Sequence, residues 1–263
     1  MHRPDEPDLT VLHFSDMHFE DEDVYGVNWE GLEQYREAAY DTLERLGADA
    51  DQAWFSGDAG TTEDREELEE FLERFSDSAT LPGNSDEELE YYEHDEIDDP
   101  EDLLENTRSD TLDIDDGPTY NILRSHDPRH VGVPPGNMED RQRYLDPDDD
   151  RLGDARCGWM TDEATGDYDI IVTAHKHGEG TFVMEDGSLA VQAGSTADNY
   201  ITDSEELPDT SVQRLHFDGD EVHVEHIDFQ DKTVVEERGY RWTGDRFEEL
   251  YVDSPWTMDE RYS

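Results

Sequence analysis

The sequence predicts an α/β protein, and three observations carry that expectation. Strand-like and helix-like segments alternate at the start, a run of strand-like segments fills the second half, and patterned apolar stretches interrupt an otherwise acidic chain. Residues 9–15 (LTVLHFS) read as a mostly buried strand. From Asn28 to Gly47, Leu32, Tyr35, Ala39, Leu43 and Leu46 fall on one stripe, which predicts a helix that stops at Gly47. A second strand over Gln52 to Ser56 precedes Thr62 to Phe75, where Leu68, Phe71, Leu72 and Phe75 mark another amphipathic helix with an acidic outer face. A short strand at Ala79 to Leu81 breaks at Pro82-Gly83, and the acidic stretch from Asp86 to Asp116 reads as a partly helical connection. Beyond it, Thr119 to Ser125, Asp169 to Ala174, Thr181 to Met184, Ser188 to Ala193, Val212 to Phe217 and Glu221 to Phe229 all read as strands. Asp186-Gly187 and Asp218-Gly219-Asp220 sit where hairpin turns join them. Residues 128–167 are rich in Pro, Gly and Asp and read as a long functional loop or insertion. We therefore expect one domain over residues 1–230 with a loop at about 128–168. The tail, 231–263, carries Tyr240, Trp242, Phe247, Tyr251 and Trp256, too many aromatics for a free tail, and is expected to pack its first part on the body.

The chain has 263 residues, with 74 Asp and Glu against 19 Lys and Arg, for a net charge of -55. Such a charge disfavours nonspecific binding to nucleic acid or to an anionic membrane. Charge and low aliphatic content match the compositional signature of disorder, yet VLHF at 11–14, AWF at 53–55, DIIV at 169–172 and 10% aromatics specify a core. An acidic surface suited to a salty solvent resolves the conflict, because at 1 M salt the Debye length is about 3 Å and distant carboxylates stop repelling. The only lysines are Lys176 and Lys232, so carboxylates coat the surface, a halophile-like bias. Cys157 stands alone, which excludes an intrachain disulfide and points to a reducing interior. The first residues lack an apolar signal core and no run approaches the ~18 apolar residues of a membrane span. The expected location is the cytoplasm.

Polar residues punctuate the strand ends. The first strand ends in Asp16-Met17-His18, the second in Gly57-Asp58 and the third in Gly83-Asn84. Further on, ILRS delivers His126-Asp127 and DIIVTA delivers His175-Lys176-His177. Imidazoles, carboxylates and one amide suit intermediate divalent metals such as Mn, Fe, Co, Ni or Zn, and the lack of a thiol cluster excludes a structural zinc site. These donors are too many for one ion. Two metals sharing a bridging carboxylate fit their number and the chemistry of phosphoryl transfer.

In this order the motifs resemble those of the calcineurin-like metallophosphoesterase superfamily: D-x-H at 16–18, G-D at 57–58, G-N at 83–84, His126, and H-x-H at 175–177, over a span from Leu9 to about Phe229. The resemblance implies two mixed β-sheets packed face to face as a sandwich flanked by helices. It implies that Asp16, His18, Asp58 and His177 hold a first metal, that Asp58, Asn84, His126 and His175 hold a second, and that Asp58 is the bridge. Manganese is the first expectation for both ions, with Fe, Co, Ni, Zn or Mg as the others that the ligand set accepts. The implied activity is hydrolysis of a phosphoester by a hydroxide shared between the ions, without a covalent protein intermediate. Two departures qualify it. Ser85 stands where many relatives carry a histidine that assists the leaving group, which resembles the compact bacterial and archaeal phosphodiesterases whose motif reads G-N-x-D. Ala174 stands where glycine is usual.

The expected substrate is accordingly a small phosphodiester, contacted by Asn84 and Ser85, with Arg129 and His130 as further candidates on an exposed loop. A nuclease on the same site is the first rival, although the few basic residues offer no groove for a nucleic-acid backbone. A non-catalytic scaffold of the same fold, like the phosphoesterase-related subunit of retromer, is the second. His13, alternating with Val11, reads as a packed or hydrogen-bonded core histidine, His216, His223 and His226 as surface residues of late hairpins, and Gly194-Ser195 as a structural turn.

Overall fold

The computed structural model describes residues 4, 6–17, 29–60, 62–81, 83, 107–115, 117–126, 168–174, 180–184, 186–196, 211–229 and 232–253, with side chains of the two helices from Ala38 and Glu66 onward. Strand β1 (Leu9–Phe14), helix α1 (Trp29–Leu46), β2 (Gln52–Phe55), α2 (Thr62–Leu72) and β3 (Asp77–Thr80) form two successive strand-helix-strand units. They are followed by β4 (Thr107–Asp113), β5 (Thr119–Ser125), β6 (Ile170–Thr173), β7 (Gly180–Val183), β8 (Leu189–Gln192), β9 (Ser211–Asp218), β10 (Glu221–Asp228), β11 (Thr233–Trp242) and β12 (Phe247–Asp253). The strands make a seven-stranded sheet in the order β12-β11-β10-β9-β1-β2-β3 and a five-stranded sheet in the order β4-β5-β6-β8-β7. Both are mixed. β1, β2 and β3 are parallel while β9 to β12 run antiparallel to their neighbours, and β5, β6 and β8 are parallel between the antiparallel edge strands β4 and β7.

Side-chain alternation along each strand decides which face packs where. In β1, Val11 joins Trp54, Ile122, Val172, Val191, Leu215 and Phe217 in an apolar layer drawn from both sheets, so the sheets pack face to face. The intervening Leu12 and Phe14 point the other way and meet Ala39, Leu43, Leu68 and Phe71 of the helices. IIVT of β6 is buried at every position, as expected of a central parallel strand with both faces covered. Tyr240 of β11 and Phe247 of β12 enter the layer between the sheets, where the Phe247 ring stacks on Tyr120 with centroids 5.7 Å apart.

Two expectations need correction. Part of the stretch read as a helical connection is a strand, because Thr107–Asp113 pairs antiparallel along the length of β5. Its side chains are mostly exposed, as suits an edge strand, so no apolar pattern advertised it. His216, His223 and His226 are buried rather than on the surface, with relative exposures of 2%, 6% and 0%. β9 and β10 lie inside the seven-stranded sheet, and each imidazole has a polar partner there: Thr10 and Glu225 for His216, Tyr251 for His223 and Thr181 for His226. No helix among the described residues is long and apolar enough to cross a membrane.

Candidate metal centre

Parallel strands carry their carboxyl ends to one edge, and Asp16, Asp58 and His126 stand just beyond the ends of β1, β2 and β5. Ligating atoms of these three buried residues lie within 4.8 Å of one another. The β1–β2 ladder continues past the strands, with Asp16 N–H donating to Gly57 O at 2.9 Å and Met17 N–H to Asp58 O at 2.8 Å, so the two aspartate-bearing turns are bonded together. Both aspartates have left-handed backbones, with φ of 54° at Asp16 and 60° at Asp58. Aspartate tolerates that region better than most residues, at a cost of about 1–3 kcal/mol, and such strain concentrates at functional sites.

The turns are held from several sides. The Ser15 hydroxyl donates to Asp16 Oδ2 at 2.5 Å, Ser195 Oγ donates to Asp16 O at 2.9 Å, and Thr196 donates to Ser15 O from both its amide and its hydroxyl. The segment after β8 therefore clamps the end of β1. Glycines admit the close approach on the other side. A Cβ on Gly57 would stand 2.5 Å from His126 Nδ1, and one on Gly83 would collide with the Asp58 carboxylate and amide. The space beside Asp58 thus accepts no side chain at residue 83.

His126 is 3% exposed, with Nδ1–H donating to Ser56 O at 2.5 Å and Nε2 3.2 Å from Asp58 Oδ2. Burial alone would lower its pKa, but the Asp58 carboxylate, followed by Asp16 and the Ser56 carbonyl, outweighs burial and raises it to about 9. The same carboxylates that favour the charged imidazole would favour a divalent ion, to which His126 would offer Nε2 while Nδ1–H stays on Ser56 O. The residues fit such an ion. Two carboxylates and an imidazole form a hard-to-intermediate donor set, they converge, and the imidazole already has its outer hydrogen bond.

Of the residues that the sequence singled out, the fold brings Asp16, Asp58 and His126 together. His18, Asn84, His175, His177, Ser85, Arg129 and His130 lie outside the described residues, as do the loop at 128–167 and Cys157. His13 is fully buried between Gln213 and Ser56. The sequence reading overlooked Ser56 and the carbonyl by which it holds His126, and residue type gave little signal for it, since any residue supplies a carbonyl.

A family description for calcineurin-like phosphoesterases matches residues 9–192, and the chain belongs to that family. No curated protein matches the chain. Among solved structures, it is similar to a predicted phosphoesterase from Streptococcus pneumoniae TIGR4 (14% identity, 92% of this chain and 97% of that one, TM-score 0.46). It is also similar to Vps29 from Entamoeba histolytica (16% identity, 94% and 99%, TM-score 0.46) and to a dimetal phosphatase from Danio rerio (12% identity, 84% and 96%, TM-score 0.46).

Proposed function

We propose that this chain hydrolyses a small phosphodiester with the help of two divalent metal ions, manganese foremost. The observation that carries the reading is the convergence of Asp16, Asp58 and His126 at the strand ends of a calcineurin-like phosphoesterase. In this reading Asp16, His18, Asp58 and His177 hold one ion, and Asp58, Asn84, His126 and His175 hold the other. Bound divalent ions supply charge against the phosphate oxygens and lower the pKa of water near the phosphorus. The protein's own groups fix where that happens: Asp58, anchored in a two-turn ladder, belongs to both sets, and His126 keeps its Nδ1 proton on Ser56 so that Nε2 faces the site. Asn84 and Ser85, with Arg129 and His130, contact the phosphate of the substrate. The catalytic domain spans 1–230, and the pairing of β11 onto β10, with β12 added outside β11, supports treating 231–263 as an extension packed on it. Cys157, a lone thiol, suits a reducing cytoplasm.

Ser85 is the basis for choosing a diester. A monoester dianion expels its alkoxide best when an acid protonates it, and a serine is a poor acid; a diester with a good leaving group depends less on that assistance. Bis(p-nitrophenyl) phosphate and p-nitrophenyl phosphate share a leaving group, so comparing kcat/KM for the two at saturating Mn²⁺ and molar KCl isolates the ester type. The diester is expected to turn over faster, and Ser85→His to raise monoester turnover more than diester turnover, within the roughly 10²–10⁴-fold worth of general acid catalysis. Preference for the monoester in the unmodified protein would overturn the diesterase reading. No hydrolysis of either ester by protein that binds Mn²⁺ would favour the scaffold instead.

A further inference from the structure

A chain of buried polar groups runs between the sheets and ends at the candidate metal centre. His13, fully buried on the inner face of β1, has Nδ1 3.0 Å from Gln213 Oε1 and Nε2 2.9 Å from Ser56 Oγ. The amide oxygen of Gln213 only accepts, so the His13 proton sits on Nδ1 and Nε2 accepts the Ser56 hydroxyl proton. Burial also keeps the ring neutral, lowering its pKa to about 4, which leaves it one N–H to place. Beyond Gln213 the chain continues to Thr181 and His226, with Gln213 Nε2 3.4 Å from Thr181 Oγ1 and from His226 Nδ1, and His226 Nε2 3.2 Å from Thr181 Oγ1. Arg238 and Tyr240 fix the far end by donating to Thr181 O at 3.0 and 2.7 Å. Ser56 is the near end. Its hydroxyl is held by His13 while its carbonyl holds His126 Nδ1–H.

We propose that His13 is a positioning residue that acts through the Ser56 hydroxyl to hold the Ser56–Gly57 peptide, so that the Ser56 carbonyl orients His126 and directs its Nε2 at the metal position. The inference rests on the reading that Asp16, Asp58 and His126 hold a divalent ion. Gly57 explains why such a hold matters: with φ at +102° and no Cβ, it places little steric limit on how the preceding peptide turns. Ladder bonds flank that peptide, from Ser56 N–H to Phe14 O at 3.1 Å and from Asp16 N–H to Gly57 O at 2.9 Å, but neither is made by the Ser56 carbonyl itself. The hydroxyl contact secures the side that faces the imidazole. A histidine serving only to fill the core would need a partner for each ring nitrogen, whereas this one reaches the residue whose carbonyl holds His126.

Metal binding separates positioning from packing. Mn²⁺ titration by calorimetry, and the visible spectrum of the Co²⁺ form, are measured on the full chain in molar KCl for the parent, Ser56→Ala, His13→Phe, the double variant and Val191→Ala. Ser56→Ala removes one buried oxygen and leaves the carbonyl in place. It and His13→Phe are each expected to weaken Mn²⁺ binding, by up to the roughly 10–100-fold that outright loss of an outer partner of a metal-bound histidine costs, and to change the Co²⁺ spectrum. The double variant is expected to lose no more than either single one, since both act through the same hydroxyl. Val191→Ala, a truncation in the same inter-sheet core, is expected to lower the melting temperature with the spectrum and affinity of the parent. A folded Ser56→Ala protein with parental Mn²⁺ affinity and Co²⁺ spectrum overturns the inference, whatever becomes of His13→Phe. A parent chain that takes up neither ion overturns the metal reading itself, a result distinct from the first.

Discussion

Replacing Gly83 with alanine places a methyl group where Asp58 already stands. The added Cβ would lie 2.6 Å from Asp58 Cγ and nearer still to the carboxylate oxygen and the amide nitrogen, whereas ordinary van der Waals contact begins at 3.4 Å. Clearing Asp58 Cγ alone takes a retreat of about 0.8 Å, and the carboxylate oxygen and the backbone amide must move farther still, so the shift reaches the roughly 1 Å at which misplacement of a functional group costs on the order of 10²-fold. The carboxyl group cannot retreat freely, because Asp58 is a left-handed residue whose carbonyl is bonded to Met17 N–H and whose Oδ2 lies 3.2 Å from His126 Nε2. Two outcomes are expected together. Overpacking should lower stability by about 1–3 kcal/mol, or very roughly 2–10 °C in Tm for a chain of this size. Mn²⁺ affinity should fall by about 10–100-fold. Gly219→Ala is the control: its φ of +55° makes alanine strained, but its Cβ would meet nothing within 4 Å, and it lies in the β9–β10 turn. Calorimetric titration with Mn²⁺ and thermal unfolding, both in molar KCl, read the two quantities separately. Parental Mn²⁺ affinity in folded Gly83→Ala protein would refute the reasoning, since Asp58 would then be either free to move or no part of a metal site.

Chelation should abolish hydrolysis and Mn²⁺ restore it, and Asp58→Asn should be the most damaging single change, because a neutral amide weakens both proposed ions; full activity of that variant in metal-depleted buffer would refute the two-ion arrangement. Diluting the protein from molar to about 0.1 M KCl should cost structure by circular dichroism, since a net charge of -55 is then unscreened; an unchanged spectrum and Tm would contradict this. Acidification should destabilise the fold through His13: its folded pKa of about 4 lies below the ordinary 6.5, so its contribution is complete above pH 6.5 and is lost as pH falls toward 4, by about 3 kcal/mol in all. His13→Gln should lack that component, so stability curves for the two proteins that stay parallel between pH 6.5 and 4 would refute it.

The succession of strands and helices in the first half was legible because each element announces itself by period. LTVLHF alternates between the inter-sheet core and the helix face, and Leu68, Phe71 and Leu72 give α2 its one buried side. β4 was not legible, since TRSDTLD buries only Leu112 and takes its strand geometry from pairing with β5. The three late histidines were misread for a related reason. Sequence places them on hairpins, but whether a hairpin lies at the margin or inside a sheet depends on pairings hundreds of residues apart, such as Thr10 with His216. At the site, the strand-end positions of Asp16, Asp58 and His126 could be read from the polar residues that follow each apolar run. The Ser56 carbonyl, the Gly83 approach and the Ser15, Ser195 and Thr196 clamp could not, because backbone acceptors and excluded volume leave no mark in residue type.

The composition and the site make competing demands that salt can separate. A surface of net charge -55 attracts divalent cations and repels phosphates, and it repels a monoester dianion about twice as strongly as a diester monoanion in the same potential. At low salt, diester preference would therefore arise from the field alone, without any contribution from Ser85. At 1 M salt the Debye length is about 3 Å, and only groups in contact with the substrate still discriminate. The ratio of diester to monoester kcat/KM should fall as KCl is raised from the lowest concentration that keeps the protein folded, then level at a value set by the site. A plateau well above unity assigns the preference to residues around the phosphate. A ratio that falls to unity assigns it to the acidic surface, and the absence of a histidine at Ser85 would then have no part in substrate choice.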